Sequence, residues 1–437
     1  TKSDWSGEDA INVSAAETIR PDWWANFEDP DLDRLMATAI DNNYDLKVLA
    51  ARTGVAQAAI SQANAARLPT VDASLGGRVQ TSEGLGTNTS YSQAAAVGWE
   101  LDIWGKLQKG VQAQEAEVRA TEADWRAGYL TMAADLSTTY FQLRQFDEQI
   151  GRQQVALNRN QRIGRIYRMQ HADGIVPETQ VMKQDADIAG LKNDLIELQR
   201  LRTLSENALG TLTAAAAGEL SVPAGSLSES TRLITVRGGL PAQLLARRPY
   251  IVAAEFRVLQ AHEREGQARL AKLPSISLTA GGGTTSNSLT NLLQGWTFGL
   301  SPTVNIPIFD PSVNARLKVT EASAKAAEAE YRRVLIRAFE EVENALVNLA
   351  SRKGQRSELR AQRDKLRMIS AQVQAQLGEG MVSQLEVLEA ERSVLAAEQQ
   401  LLANKQQILS DTVELYKALG GGWPDDYVGT EERAAAQ

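Results

Sequence analysis

The chain contains no cysteine, which excludes disulfides, thiol catalysis and cysteine-ligated zinc, and leaves its redox compartment unreadable. Histidine is nearly absent. His171 and His262 lie in different parts of the sequence and read as solvated surface residues rather than metal ligands. No apolar run reaches about 18 residues, so there is no transmembrane helix. Aromatics are only 5%, while Ala, Leu, Gln, Glu and Arg fill long stretches, as in long helices and coiled coils rather than compact globules. The net charge of −8 comes without a basic stripe, so nucleic acid is not expected as a partner. Gly281-Gly282-Gly283-Thr284-Thr285 resembles a phosphate loop but lacks the lysine and the following helix, and reads as a flexible loop at a hairpin tip. Paired acids such as Glu340-Glu341 read as helix-face charges. No catalytic residue, cofactor or metal site is expected, and the chain does not read as an enzyme. No leader is visible at Thr1, which fits a cytosolic chain or one numbered after processing.

What the chain does have is a copy of itself. Residues 62–71 (QANAARLPTV) recur as residues 267–276 (QARLAKLPSI), with five of ten positions identical. The same offset aligns Trp99-Glu100-Leu101-Asp102-Ile103-Trp104 with Val304-Asn305-Ile306-Pro307-Ile308-Phe309. A repeat this long exceeds one solenoid unit, whose period is roughly 20–50 residues. It reads as a duplicated supersecondary block.

Five segments follow from the pattern. Residues 1–30 are irregular, with Trp5, Trp23 and Trp24. Residues 31–212 form a first repeat: a helix from Leu32 to Ala66, a β-hairpin at 70–104 and two long rods. Residues 213–240 are a linker with one possible strand from Leu233 to Val236. Residues 241–422 form a second repeat: a helix over 242–271, a hairpin at 275–309 and two more rods. Residues 423–437 are a flexible tail.

Within each hairpin the period changes from about 3.6 to 2. Val71, Ala73, Leu75 and Val79 alternate with Thr70, Asp72, Ser74, Arg78 and Gln80. After a loop from Ser82 to Ser90, Tyr91, Gln93, Ala95, Val97, Trp99 and Leu101 alternate with Ser92, Ala94, Ala96, Gly98, Glu100 and Asp102. In the second repeat a strand at 275–280 and a loop at 281–295 precede Trp296, Phe298, Leu300 and Val304, which alternate with Thr297, Gly299, Ser301, Thr303 and Asn305. The rods carry heptads: Leu136, Leu143, Ile150 and Leu157, then Leu388, Leu395, Leu402, Leu409 and Tyr416. The first rod, from Lys106 to Arg168, would run ~95 Å at the rise of an α-helix.

Strands of ~10 residues are long enough to cross a bilayer when tilted. Only helices and closed barrels satisfy every backbone group in lipid, and ~8 strands are the usual minimum for closure. Strands from one chain do not suffice, so a membrane reading requires several copies. A soluble half-buried sheet remains the alternative for each hairpin taken singly. Acidic and basic groups behind the apolar faces, and the repeat-equivalent aromatics Tyr91/Trp296 and Trp104/Phe309 at the strand ends, favour the membrane. Trp104 and Phe309 fall on the opposite parity from the apolar face, which places them at the strand-to-helix joint.

The segments Phe27-Glu28-Asp29-Pro30-Asp31-Leu32-Asp33-Arg34-Leu35, residues 240–251 (LPAQLLARRPYI) and Leu273-Pro274-Ser275-Ile276-Ser277-Leu278-Thr279 together resemble the TolC-type outer-membrane efflux channel family, in its lipoprotein branch serving multidrug pumps. The likeness covers about residues 22–422. It implies an α+β membrane protein: a homotrimer whose twelve-stranded β-barrel lies in the outer membrane of a Gram-negative bacterium and continues into a long periplasmic barrel of antiparallel α-helices. It also implies two partners, a periplasmic adaptor (membrane fusion) protein and an inner-membrane efflux pump. Three features depart from the pattern: Tyr250 stands where the family usually has Asp, Tyr44 where it has Pro, and Thr1 where the branch has a lipid-modified cysteine.

Gly380-Met381-Val382-Ser383-Gln384-Leu385-Glu386-Val387-Leu388-Glu389-Ala390 resembles the family's periplasmic aperture. Leu385 and Glu389, four apart, share a helix face, and in a trimer they would form a leucine ring and a carboxylate ring. Glu386 belongs to the same segment. Three facing carboxylates repel one another and attract cations. From the residues alone, a solvated turn after the glycine break is the alternative. Gln180 and Asp185 are weaker aperture candidates, and Glu100 and Asp102 are expected in the barrel lumen. The resulting expectation is a passive exit duct for drugs, detergents or other toxic compounds. A type I protein-secretion exit channel, or a soluble coiled-coil scaffold, is the alternative.

Overall fold

The structure is a computed structural model that describes residues 20–83, 86–231, 233 and 248–423. All but Leu233 of the possible strand at Leu233–Val236, most of the 240–251 motif, the start of the helix at 242–271 and the tail beyond Trp423 lie outside the described residues. Among those described, α1 (Pro30–Asn42), α2 (Tyr44–Ala65), β1 (Thr70–Ser82), β2 (Gly86–Leu101), α3 (Lys106–Ala172), α4 (Glu178–Leu212) and the short α5 (Leu227–Ser230) are followed by α6 (Pro249–Leu270), β3 (Ser275–Ser286), β4 (Thr297–Asn305), α7 (Pro311–Gly378) and α8 (Gln384–Ala418). None of these helices is long and apolar enough to cross a membrane.

The single helix expected over Leu32–Ala66 is two. Asn43 interrupts it with ψ 124°, donates from its amide to the Leu212 carbonyl at 2.8 Å, and accepts the Leu46 N–H at 3.0 Å. It thereby restarts the helix as its N-terminal cap.

The chain packs as two compact units, each drawing segments from both repeats. One combines Ala50–Asp124 with Tyr250–Val334 and holds the sheet. Its strands run in the order β1-β2-β3-β4, all antiparallel. The two hairpins are therefore one sheet, joined by pairing of β2 with β3, from Tyr91↔Ser286 to Leu101↔Ile276. Residues opposite one another share a face, so register extends the apolar rows across strands: Val71, Val97, Ala280 and Leu300 in one row, Trp99, Leu278 and Pro302 in another. Thr70, Gly98, Thr279 and Ser301 form a row of the opposite face. The apolar face is bare: Val71 is 73% exposed, Leu75 81%, Phe298 82% and Leu300 66%.

Two loop assignments are corrected. β2 begins at Gly86, so residues 86–90, expected in a loop over 82–90, are strand. Gly281–Gly283 lie inside β3, not at a hairpin tip. Neighbours crowd two of them: a Cβ at Gly283 would meet the Gln93 carbonyl oxygen at 2.6 Å, and one at Gly282 would meet the Phe298 ring at 2.6 Å. The connection to β4 folds back, with the Thr284 hydroxyl and the Gln93 amide both donating to the Leu292 carbonyl.

The other unit combines Thr1–Leu49, Trp125–Pro249 and Leu335–Thr430. Its core starts from the aromatic cluster at the start of the described chain. Trp23 stacks on Tyr416 with centroids 5.0 Å apart, and Phe27 meets Phe141 edge-on at 5.0 Å. Asp29 caps α1 by accepting the Asp31 and Leu32 N–H groups, and also accepts the Tyr140 hydroxyl at 2.7 Å. Beside it lies Arg144, 2% exposed. Its guanidinium donates to the Tyr140 hydroxyl at 2.8 Å, to Asp31 at 2.6 Å, to Asp147 at 3.3 Å and to the Pro223 carbonyl. Arg202 completes the network on Asp147 at 2.6 Å and on the Val222 carbonyl at 2.7 Å. Segment 213–231 is thus pinned by buried charge as well as by the buried side chains of Val222 and Leu227. Breaking such a network from one side costs about 3–5 kcal/mol, because the remaining charges stay buried without partners. We expect Arg144→Ala to lower the unfolding temperature of the purified protein by several degrees, while Arg360→Ala leaves it unchanged; equal melting of both variants would contradict this reading.

Candidate functional site

The two rod turns have the same construction. Gly174 and Gly380 adopt φ of 71° and 74°. At each, the glycine N–H returns to a carbonyl three residues back (His171, Leu377), and the next residue's N–H returns to one five back (Gln170, Gln376), at 2.8–3.0 Å. This is the glycine-terminated Schellman ending of a helix. The expected aperture segment therefore begins where α7 stops, and α8 restarts at Gln384.

The sequence candidates now have definite places. Leu385 is half-buried and Glu386 exposed. The Glu386 carboxylate accepts the Ser383 N–H at 3.2 Å and its hydroxyl at 3.1 Å, completing a capping box. Glu386 is thus occupied by the helix start. Glu389 lies 3.9 Å from the Lys183 ammonium of α4, and Lys183 is the first-repeat counterpart of Glu389 at an offset of 206. Asp187 lies 4.0 Å from Arg392. Gln180 is half-buried, and Asp185 is paired with Arg168 of α3. Of the expected lumen pair, Glu100 is bound by Lys106, and Asp102 accepts the Leu107 and Gln108 N–H groups at 2.9 and 2.8 Å, capping α3. Trp104, expected at the joint, donates its indole N–H to the Pro274 carbonyl at 2.7 Å.

Sequence reasoning missed the order among these ion pairs. Followed along α3 from the turn, side-chain exposure of the partners falls from 52%/47% at Arg168–Asp185 to 43%/17% at Arg159–Glu391, 29%/18% at Arg152–Glu398 and 2%/2% at Arg144–Asp147. Lys183–Glu389 is more exposed still, at 55%/66%. Exposed pairs contribute about 0–1 kcal/mol each, while buried networks are costly to break. The rod ends are therefore held weakly and the far end firmly, the distribution a movable element needs. Apart from Arg144–Asp147, which is i,i+3 within α3, no spacing rule could have found these partners, because each of the other pairs joins different helices.

Two further features were not legible in advance. Lys405, buried, donates to the carbonyls of Leu227, Ser228 and Thr231. Burial, with Arg356 close by, pushes its ammonium down to about 8. His262 does not stand alone in solvent: its ring nitrogens lie 3.5 Å from Glu265 and 3.2 Å from Glu328. Among the described residues no group of His, Asp and Glu is arranged to hold a metal ion.

The capping role separates Glu386 from its neighbours. Glu386→Ala should fray the first turn of α8 at a cost of about 1 kcal/mol, seen as faster amide hydrogen exchange at Val387 and Leu388, with Glu386→Gln keeping the protection. Equal exchange in both variants would remove the cap.

The comparisons bear on this geometry. The model of the outer membrane efflux protein family matches residues 35–215 and 240–421. The chain is 27% identical to the pyoverdine export outer membrane protein OpmQ of Pseudomonas putida, over 97% of this chain and 92% of that protein. It is 29% identical to the cation efflux system protein CusC of Escherichia coli, over 94% and 90%. Its fold matches the crystal structure of the open state of the Neisseria gonorrhoeae MtrE outer membrane channel with a TM-score of 0.86 and 26% identity, covering 98% of this chain and 97% of that one. The long antiparallel helices and the four-stranded sheet with its bare apolar face are thus those of an outer-membrane channel, and the chain belongs to the outer membrane efflux protein family.

Proposed function

We propose that this chain is the passive exit duct of a tripartite multidrug efflux system, working as a homotrimer with a periplasmic adaptor and an inner-membrane pump. The observation behind the trimer is the sheet. Its apolar face suits lipid, and its outer strands β1 and β4 each pair on one side only among the described residues. Backbone groups left unpaired in hydrocarbon cost several kcal/mol each, so such edges must be closed by other copies. Three copies of four strands give a barrel of twelve, above the ~8-strand minimum. The relatives carry names of dissimilar cargoes, pyoverdine and cations among them. That range supports a duct that leaves selection to its pump, and it favours efflux over protein secretion.

Leu385 and Glu389 narrow the rod-end aperture in this reading, with Glu386 serving the helix start. The Lys183–Glu389 and Asp187–Arg392 pairs hold α4 to α8 in the observed state. Each contributes under about 1 kcal/mol, so adaptor contact supplying a few kcal/mol would suffice to shift the population. Gln180 and Asp185 have secondary positions on α4, and Glu100 and Asp102 lie at the foot of the lumen, where Asp102 also starts a rod.

Reconstituted in planar bilayers, Lys183→Ala/Glu389→Ala should conduct more, or open more often, than the parent by several-fold, with Leu385→Ala widening the conductance further. Unchanged conductance would take these residues out of the gate. A strain lacking the gene should become more drug-susceptible if the efflux reading holds, and lose export of a protein instead if it fails.

A further inference from the structure

A cleft of about 180 Å³ in the rod unit is lined by Arg152, Arg356, Arg360, Arg363, Arg367 and Lys405. Glu398 is the one carboxylate among the residues lining it, and it is taken up by Arg152 at 3.0 Å and by Arg367. The charge in the cleft is therefore strongly unbalanced. Lys405 donates to carbonyls, with the Glu148 carboxylate, itself bound by Arg152 at 2.6 Å, acting on it through space, and Arg363 turns to its own neighbour, Asp364. Among the described residues Arg356 and Arg360 have no carboxylate partner, and the Arg356 Nε–H, though inaccessible to water, has no acceptor.

The sequence pattern makes this unusual. Positions 356, 360, 363 and 367 follow one another at steps of four, three and four, so four guanidinium groups share one stripe of α7. Like charges at such spacing destabilise a helix by a few tenths of a kcal/mol per pair. The strain is carried into the half-buried Arg356, whose guanidinium is pushed down by burial and by Arg360 beside it. Arg363 and Arg367 have carboxylate partners, but Arg356 and Arg360 gain none from this arrangement. An anion in the cleft would offset the repulsion between them.

We propose that the cleft is a binding site for a small multivalent phosphate-type oxyanion, clasped by Arg356 and Arg360 of α7 and backed by Arg152 of α3 and Lys405 of α8. Planar guanidinium forks match phosphate oxygens two at a time, which favours phosphate over a monovalent anion. The volume holds an ion of that size and excludes a folded chain segment. A bound oxyanion would bridge α3, α7 and α8, the helices already joined by Glu398, and stiffen the rod unit without touching the aperture.

The test is titration of inorganic pyrophosphate into the full-length assembled protein in neutral detergent, followed by calorimetry and thermal unfolding. We expect saturable binding at one site per chain, a rise in unfolding temperature with ligand, and at least tenfold weaker binding in Arg356→Gln/Arg360→Gln. Arg360→Lys, which keeps the charge but loses the fork, should fall between. Arg200→Gln, outside the cleft in an exposed pair with Glu197, should bind as the parent does. Short-chain phosphatidate is the second probe: binding of both ligands assigns the site to headgroup and free phosphate alike, binding of pyrophosphate alone to a free oxyanion, and either supports the proposal. No binding to the assembled protein, which would mean that carboxylates of a neighbouring copy fill the cleft, overturns it. So does equal loss in Arg200→Gln, which would reduce the effect to general surface charge.

Discussion

Backbone hydrogen bonding at the edge of the sheet is the constraint on which the rest depends. A sheet with one face for lipid cannot end in lipid, because each unpaired N–H and C=O there costs several kcal/mol. β1 has 13 residues and β4 has 9, each with one side unpaired among the described residues of the single chain. Closure by further copies follows from that cost, and with it the ring of rods and a lumen. The internal duplication serves the same end. Because β2 of the first repeat pairs directly with β3 of the second, two copied hairpins become one four-stranded panel, and fewer chains are needed to close the ring.

The rods obey a second rule, set by desolvation. Ion pairs are worth little at the surface and are hard to break when buried. This chain spreads them in order: exposed at the Gly174 and Gly380 turns, fully buried around Arg144. The same chemical pairing therefore clamps segment 213–231 at one end and leaves the other end free to shift. Repetition of the turn geometry, with Gly174 and Gly380 in the same left-handed conformation, shows that the two halves share their construction. The differing residues beyond the turns, Lys183 on α4 and Glu389 on α8, make them complementary rather than identical.

Strand faces and rods were legible in the sequence because their periods, two and seven, are set by backbone geometry and survive without knowledge of partners. Thr70, Asp72 and Ser74 fell on the polar side as read, and the register joined them to Gly98, Ala96 and Ala94. Gly281–Gly283 misled because glycine ordinarily punctuates a chain, whereas here it lets β3 run close beside β2 and lie under Phe298. Asn43 hid a helix break inside an unbroken apolar pattern. The double role of Asp102 and the capping role of Glu386 turn on which N–H each carboxylate reaches, which composition does not encode. The arginine stripe of α7 was in plain view, yet its meaning required knowing that Lys405 and Arg152 approach from other helices.

The central claim is that one face of this sheet meets lipid and the other meets water. Single cysteines introduced along β1 and β4, labelled with an environment-sensitive fluorophore in liposomes, test it directly, since the chain has no cysteine of its own. Labels at Val71, Leu75, Phe298 and Leu300 should be quenched by a lipid-borne quencher and shielded from iodide, and those at Asp72, Ser74, Gly299 and Ser301 should show the reverse. Uniform access to iodide at all eight positions would contradict the account and return the sheet to a soluble role.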